Sequence, residues 1–418
     1  RFMKKTLPEL LAPAGNWLNL AAALDAGADA VYFGVAGFNM RAGAKNFSVR
    51  ELPKVVERCH ARGVRAYLTA NTLIYETELR RVRTLLTAAH KAGVDGLIAS
   101  DWAVISLARE LGLEVHASTQ MSVGNSSAIV ALHALGLRRF VLARECSLAD
   151  VRRIKRELRA RLGRRAAEAV QIEVFAHGAM CVSVSGRCFL SEHSTGKSAN
   201  RGACTQPCRR EYAIRSDDAD QEWTVGRDYV LSPKDLCTLP LIEQLVGVGV
   251  DCLKIEGRLR SPEYVSTVVS AYRRALDFLG RDRGRAGWRE RLAELKTGLL
   301  AEVGRVYNRG FSTGFYHGKP IDEWTHASGN VATQRRHFVG RVLNYYRKAG
   351  VAYVEVLDAG FAAGDELIFE GPTTGFFRQV AASLRLEEQV LERAGAGQKI
   401  TLPVGRQVRA GDKVYLLK

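Results

Sequence analysis

The chain lacks several features that would settle its class quickly. No stretch approaches the ~20 consecutive apolar residues of a membrane-spanning helix, so no membrane insertion is expected. The opening Arg1-Phe-Met-Lys-Lys leads into no apolar run, so a secretory signal is not expected, Met3 is read as the initiator, and the default location is cytoplasmic. There is no His-Glu-x-x-His helix, no Ser-His-Asp order and no nucleophile elbow, which removes the usual peptidase signatures. No Cys-x2-Cys pair is present, which counts against a zinc ribbon. Acidic residues are in deficit, with 44 Asp and Glu against 61 Lys and Arg and a formal charge of +17. Such a surplus attracts phosphate backbones through counterion release. The charge is clustered, most densely at Arg152, Arg153, Lys155, Arg156, Arg159, Arg161, Arg164 and Arg165. That run favours polyanion binding, with a solvated helix face as the alternative.

What is present is concentrated in one stretch. Glu173-Val-Phe-Ala-His177-Gly-Ala-Met-Cys181 continues through Gly186-Arg187-Cys188 to Ser191, and Asn200-Arg-Gly-Ala-Cys204-Thr-Gln-Pro-Cys208-Arg209 follows. Four of the eight cysteines thus fall within 28 residues at the spacing C-x6-C-x15-C-x3-C. They stand among Gly, Ser and Arg rather than in an apolar stripe. Four thiolates at loop spacing suit either a 4Fe-4S cluster or a tetrahedral zinc, and the wide, uneven spacing fits the cluster better. A disulfide pair fits poorly, because cytosolic thiols stay reduced. Cys59, Cys146, Cys237 and Cys252 lie singly in helix or strand patterns and are read as core residues.

The Glu-x-Phe, Gly-Ala-Met-Cys and Gly-x-Cys positions and the closing Ser191 resemble the signature of the collagenase-like peptidase family, numbered U-32. The similarity also takes in Glu9-Leu-Leu-Ala-Pro-Ala-Gly15, Lys254-Ile-Glu-Gly-Arg258 and Ser261-Pro262. The better understood members of this family are oxygen-independent hydroxylases. They act on the wobble uridine of transfer RNA, on a ribosomal RNA cytidine, or on ubiquinone. The resemblance therefore implies a 4Fe-4S cluster and prephenate as the oxygen-donating co-substrate. It also implies an RNA partner, with tRNA favoured, and a possible homodimer or paralogue heterodimer. Cys181, Cys188, Cys204 and Cys208 match the cysteines of the transfer RNA type, whereas the quinone type lacks the Cys208 position. Cys237 remains the rival for the fourth ligand.

Along the first 260 residues, eight short apolar strands alternate with amphipathic helices. They begin near Glu9, Ala30, Arg65, Gly96, Glu114, Arg139, Ile172 and Asp251. Gly27, Gly93, Gly136 and Gly249 recur just before strands, at helix C-termini. This predicts parallel βαβ units closing into a (β/α)8 TIM-like barrel over residues 1–280, with an open doubly wound sheet as the alternative. The cysteine-rich insertion would follow strand seven. Residues 281–336 read as a helical connector, and 337–418 as a small β-barrel.

Barrel active sites gather at strand C-terminal ends. Those ends carry Asn71, Asp101, Ser118, Thr119, Gln120, Arg144, Glu145, His177, Glu256 and Arg258. His177 and Glu256 are the catalytic candidates. His177 would act as acid or base, or hydrogen-bond a ligand sulfur. Arg144, Arg258, Gln120 and Asn71 are the substrate-binding candidates, the arginines for the carboxylates of a small dicarboxylate. Arg144 and Glu145 could instead pair with each other, Asp101 could be a helix cap, and Glu173 reads as structural. Ser232-Pro233-Lys-Asp235 predicts a helix start. The segment from Tyr307 to Tyr316 either stacks on bases or packs across the barrel.

Overall fold

The strand–helix alternation folds into a closed parallel barrel. A computed structural model describes residues 7–212, 214–218, 221–226, 229–327 and 329–418. The chain runs β1 (Glu9–Ala14), α1 (Trp17–Asp25), β2 (Ala30–Gly34), α2 (Leu52–His60), β3 (Arg65–Ala70), α3 (Leu79–Ala92), β4 (Gly96–Ala99) and α4 (Trp102–Glu110). It continues through β5 (Val115–Ala117), α5 (Ser126–Ala134), β6 (Arg139–Val141), α6 (Leu148–Ala169) and β7 (Gln171–Gly178). The cysteine segment, with α7 (Leu190–Thr195), comes next and leads to a hairpin of β8 (Ile214–Asp218) and β9 (Gln221–Gly226). Residues 209–230 read from the sequence as a polar surface excursion carrying Asp217, Asp218 and Asp220, of which Asp220 lies outside the described residues. Then follow β10 (Asp235–Cys237), α8 (Ile242–Val248), β11 (Cys252–Ile255), α9 (Pro262–Asp282), α10 (Trp288–Gly304) and β12 (Phe311–Ser312).

Strands β1 to β7 pair in sequence order, all parallel. β11 closes the ring by pairing with both β7 and β1, so the doubly wound alternative is excluded. Local chemistry accounts for the helix ends. Asn16, Asp101, Asn125, Ser147 and Ser261 cap α1, α4, α5, α6 and α9 by accepting backbone N–H bonds. Asp101 therefore serves as a helix cap. The four recurring glycines all have positive φ, between 74° and 91°, which a Cβ would oppose.

The barrel interior is partly ionic. At its N-terminal end Arg139 Nη1 donates to Glu9 Oε1 at 2.5 Å and lies 3.6 Å from Glu173. Lys254 Nζ donates to Glu173 Oε1 at 2.7 Å. Glu173 is fully buried in this network and serves the fold, as its depth in the strand suggested.

One local expectation is overturned. Ser232-Pro233 does not begin a helix. Asp235–Cys237 instead extends antiparallel along β7, pairing Leu236 with Gly178 and Cys237 with His177. Arg209 donates to Ser232 Oγ (2.8 Å) and to the Pro233 carbonyl (2.7 Å), and Arg309 pairs with Asp235 at 3.3 Å. These tertiary bonds consume the groups a helix cap would have used. The helix starts later, after Leu239.

Beyond Arg336 ten strands run to Leu417, eight of them in one antiparallel sheet with an apolar core of its own. This module rests on the barrel through α1 and α9, where Arg378 pairs with Glu263 at 3.0 Å. Among the described residues no helix is long and apolar enough to cross a membrane.

Candidate active site

The cysteine segment leaves β7 at Gly178, where the chain passes so close to β11 that a Cβ would lie 2.5 Å from the Glu256 carbonyl oxygen. From there it crosses the barrel mouth in short turns and is pinned by polar bonds to the strand-end loops. Ser185 N–H donates to Glu145 (3.3 Å), Arg187 to Ser122 (3.0 Å), and Arg201 to Glu78 (2.9 Å) and the Leu73 carbonyl. Arg209 reaches back to the Met180 carbonyl. Glu145 is thus occupied by the cysteine segment and does not pair with Arg144.

The pinned segment roofs a cavity of about 180 Å³. Cys181, Cys188, Cys204 and Cys208 all line it. Cys181 and Cys204 are exposed, Cys188 and Cys208 half-buried, and all four are free thiols. In three of them the sulfur receives the backbone N–H two residues on: Ser183 to Cys181 Sγ (3.5 Å), Leu190 to Cys188 Sγ (3.3 Å) and Gln206 to Cys204 Sγ (3.3 Å). Burial pushes the Cys208 thiol up, and the neighbouring Cys181, Cys204 and Cys188 add to this against Arg209. Cys237 lies apart from this group. It is buried in β10 with its sulfur 4.0 Å from the Tyr272 hydroxyl. Cys59, Cys146 and Cys252 are buried as expected.

The donor set is four soft sulfurs in one cavity, which suits an iron–sulfur cluster or zinc. Among the described residues no three Cys, His, Asp or Glu side chains converge closely enough to hold a single ion. A tetrahedral zinc with bonds of ~2.3 Å draws its sulfurs to within about 4 Å of one another. A cubane spreads its ligands over four corners and tolerates the wider arrangement.

The rest of the lining is cationic. Arg41, Arg144, Arg209, Arg260 and Arg309 line the cavity with a single carboxylate, Glu256. Arg41 Nε lies 3.2 Å from Glu256 Oε1. Burial alone would raise the Glu256 pKa, but the guanidiniums of Arg41, Arg144 and Arg258 outweigh it and pull it down to about 2. Glu256 is therefore a fixed anion at neutral pH that positions arginines and has no proton to donate. The Arg144 guanidinium sits 3.9 Å from the centre of the Phe175 ring, and burial lowers its pKa. Arg260 covers the ring of Tyr307 at 3.7 Å.

Not every expected residue reaches the cavity. Gln120, Arg144 and Glu256 do. Asn71 lies behind Gln120, donating to its Oε1 (3.1 Å) and to Ser118 Oγ (3.2 Å). Arg258 is buried inside the barrel, donating to Asn39 Oδ1 and Thr69 Oγ1, each at 3.0 Å. Its guanidinium is pulled down to about 10 by burial, and its charge acts on the cavity residues Arg41 and Glu256 from behind. His177 is also misplaced by the sequence reading. It is 1% exposed and caged by Tyr264, Tyr272 and Phe311, with the Tyr272 hydroxyl 3.5 Å from Nδ1. No cysteine of the cavity touches it. A β-bulge, where the register of β7 against β11 shifts between Lys254 and Ile255, takes His177 off the interior face that Glu173 occupies and packs it against α9 and β12, so it is neither the acid–base group nor a partner of a ligand sulfur.

Burial, with the charge of Arg260, holds the His177 pKa at about 3. The unfolded chain, with a value of ~6.5, binds one more proton through the intervening range. Stability is thus expected to fall as pH drops below about 6.5, by up to ~1.4 kcal/mol per pH unit from this residue. Urea unfolding of His177→Phe between pH 7 and 5 should show that slope reduced by one proton. An unchanged slope would contradict the burial argument.

Arg41, Arg209, Arg260 and Arg309 were not singled out as site residues from the sequence. Arg41 carries the clearest missed signal, since it sits in the loop after β2, at the same end of the barrel as the other strand-end candidates. The segment from Tyr307 to Tyr316 takes the packing role. Arg309 and Tyr316 are buried, and the Tyr316 hydroxyl donates to the Phe175 carbonyl at 2.5 Å.

The family model described as peptidase family U32 matches residues 15–326. The chain belongs to this family. It is 42% identical over 413 residues to a protein named collagenase from Porphyromonas gingivalis, covering 97% of each chain. It is 36% identical over 371 residues to a tRNA hydroxylation protein of Bacillus subtilis, covering 87% of this chain and 84% of that one. A 23S rRNA 5-hydroxycytidine synthase of Escherichia coli is 36% identical over 277 residues, 66% of this chain and 40% of that protein. The family resemblance read from the cysteine signature is therefore correct. Its relatives named for RNA hydroxylation support an RNA-modifying enzyme, and a relative named collagenase stands beside them.

Proposed function

We propose that this protein is an iron–sulfur dependent, oxygen-independent RNA hydroxylase that forms 5-hydroxyuridine at a tRNA wobble position, with prephenate as oxygen donor. One observation carries the reading: four free cysteines share an arginine-lined cavity at the barrel mouth. Cys181, Cys188, Cys204 and Cys208 would hold the 4Fe-4S cluster. When bound, it would supply one-electron chemistry that the side chains lack.

The protein's own residues do the remaining work. Arg144, with Arg41 or Arg260, suits the two carboxylates of a small dicarboxylate, because guanidinium pairs bidentately with carboxylate. Glu256 holds Arg41 in place for that task. The target base must leave its stack to reach a cavity this small. Replacing Arg144 with Ala should raise KM for the dicarboxylate about 10- to 100-fold, the range expected for a lost charge-assisted hydrogen bond. Iron content should stay unchanged, and steady-state kinetics with iron analysis would check both.

A collagenase-like peptidase is the second reading, favoured by the 42% identity to the Porphyromonas protein. The cavity offers it little, since no histidine lines it and no Ser–His or Cys–His pair can form there. The deciding experiment is oxygen-free purification with iron, sulfide and zinc analysis, followed by mass analysis of tRNA nucleosides from a deletion strain. About four irons per chain and loss of 5-hydroxyuridine would support the hydroxylase. Zinc alone, or unaltered nucleosides together with hydrolysis of gelatin, would overturn it.

A further inference from the structure

Helix α6 carries the densest run of basic residues in the chain. Some exposed arginines of the other helices are matched to carboxylates, Arg83 with Glu110 (3.0 Å) and Arg274 with Glu302 (2.7 Å), whereas Arg80, Arg81 and Arg109 form no ion pair among the described residues. On α6, Arg152, Arg159 and Arg165 are exposed and form no ion pair among the described residues. Arg156 is exposed too, and among the described residues its one ion pair is with its neighbour Glu157 at 3.0 Å.

The helix buries Leu148, Val151, Ile154 and Leu158 against the barrel. At 100° per residue, Arg152, Arg156 and Arg159 fall together on the outward side. Like charges at i, i+4 and i, i+3 destabilise a helix by a few tenths of a kcal/mol per pair. Among the described residues no ion pair offsets that cost for Arg152 and Arg159. The stripe also has a direction. α6 starts at the barrel mouth, where its N-cap Ser147 stands two residues after Glu145, the anchor of the cysteine segment. From there it descends the outer wall.

We infer that the outward face of α6, through Arg152, Arg156 and Arg159, is a phosphate-tracking surface that holds the RNA backbone alongside the barrel while the target nucleotide enters the mouth. The inference rests on the RNA-modifying reading and adds to it a binding surface outside the cavity. Contacts of this kind fix register and supply affinity without reading sequence. They do not touch the reacting atoms.

The test uses the cluster-loaded protein and an unmodified tRNA transcript carrying a fluorescent label. Anisotropy titrations over a salt series would compare the native protein with Arg152→Ala/Arg156→Ala/Arg159→Ala. The same triple change to Glu would serve as a graded second variant. Arg385→Ala/Lys399→Ala/Lys413→Ala on the C-terminal sheet removes the same three charges and controls for net charge. All the replaced side chains are exposed, so circular dichroism and iron content should match the native protein.

The Ala triple is expected to weaken binding roughly tenfold or more. It should also flatten the slope of log K against log salt by about 2 to 3, since each phosphate neutralised by a native arginine adds about 0.7–0.9 to that slope. The Glu triple should weaken binding further, and kcat at saturating RNA should not change. Native binding and hydroxylation with unaltered affinity and slope in both triples, or equal losses in the control, would overturn the α6 surface and leave the hydroxylase standing. A native protein that neither binds nor hydroxylates the transcript would overturn the RNA reading itself.

Discussion

Cys204→Ala protein, purified without oxygen, is expected to hold almost no iron and to lose RNA hydroxylation by more than about 100-fold, beyond the 10- to 100-fold typical of losing a mere partner of a ligand. The thiol is exposed and its sulfur receives only the Gln206 N–H. Its removal therefore costs little packing, and unfolding should be unchanged when native and variant proteins are both compared free of iron. The same outcome is expected for Cys181, Cys188 and Cys208. Cys237→Ser is the discriminating control. Cys237 lies buried in β10 beside Tyr272, so its change should lower stability while leaving iron in place. Full iron in Cys208→Ala with loss in Cys237→Ser would reverse the ligand assignment. Zinc retained at one per chain in all four single variants would remove the cluster from the proposal.

The second large effect is on stability. Glu173→Ala removes the carboxylate shared by Lys254 at 2.7 Å and Arg139 at 3.6 Å. Arg139 keeps Glu9, but Lys254 is left as an uncompensated buried cation. Breaking a buried pair in this way costs about 3–5 kcal/mol, a large share of the ~5–15 kcal/mol that holds a typical domain together. The barrel's urea midpoint should fall accordingly, with Glu173→Gln falling less because its amide oxygen still accepts from Lys254. Burial by itself would raise the Glu173 pKa, but Lys254 and Arg139 overcome it and hold the carboxyl below its ordinary value. Its folded pKa is depressed, so its contribution is present above the unfolded value of ~4.3 and is lost as pH falls through the folded one. A native-like midpoint in Glu173→Ala at pH 7 would show that water already reaches Lys254.

The one-dimensional pattern carried a good deal. Short apolar strands at regular intervals, each preceded by a helix-ending glycine, are a local signal, because helix and strand periods and a positive φ are set by neighbouring residues. The eight strands, their order and the cap at Asp101 were legible for that reason. So was the cysteine constellation, since the residue types and their spacing lie within one short segment.

The tertiary structure alone decided the chemistry of the cavity walls. Arg41, Arg144, Arg209, Arg260 and Arg309 come from five separate loops and meet only because the barrel closes β11 onto β1. His177 is four residues from Cys181 in the chain, yet a β-bulge between β7 and β11 turns it into an aromatic cage on the outer side of the sheet. Ser232 and Pro233 look like a helix start until Arg209, brought back by the cysteine segment, takes their polar groups. Spacing along the chain determined which residues could ligate a metal. Which charges surround them was decided by closure of the ring, where interactions between residues distant in sequence outweigh local preference.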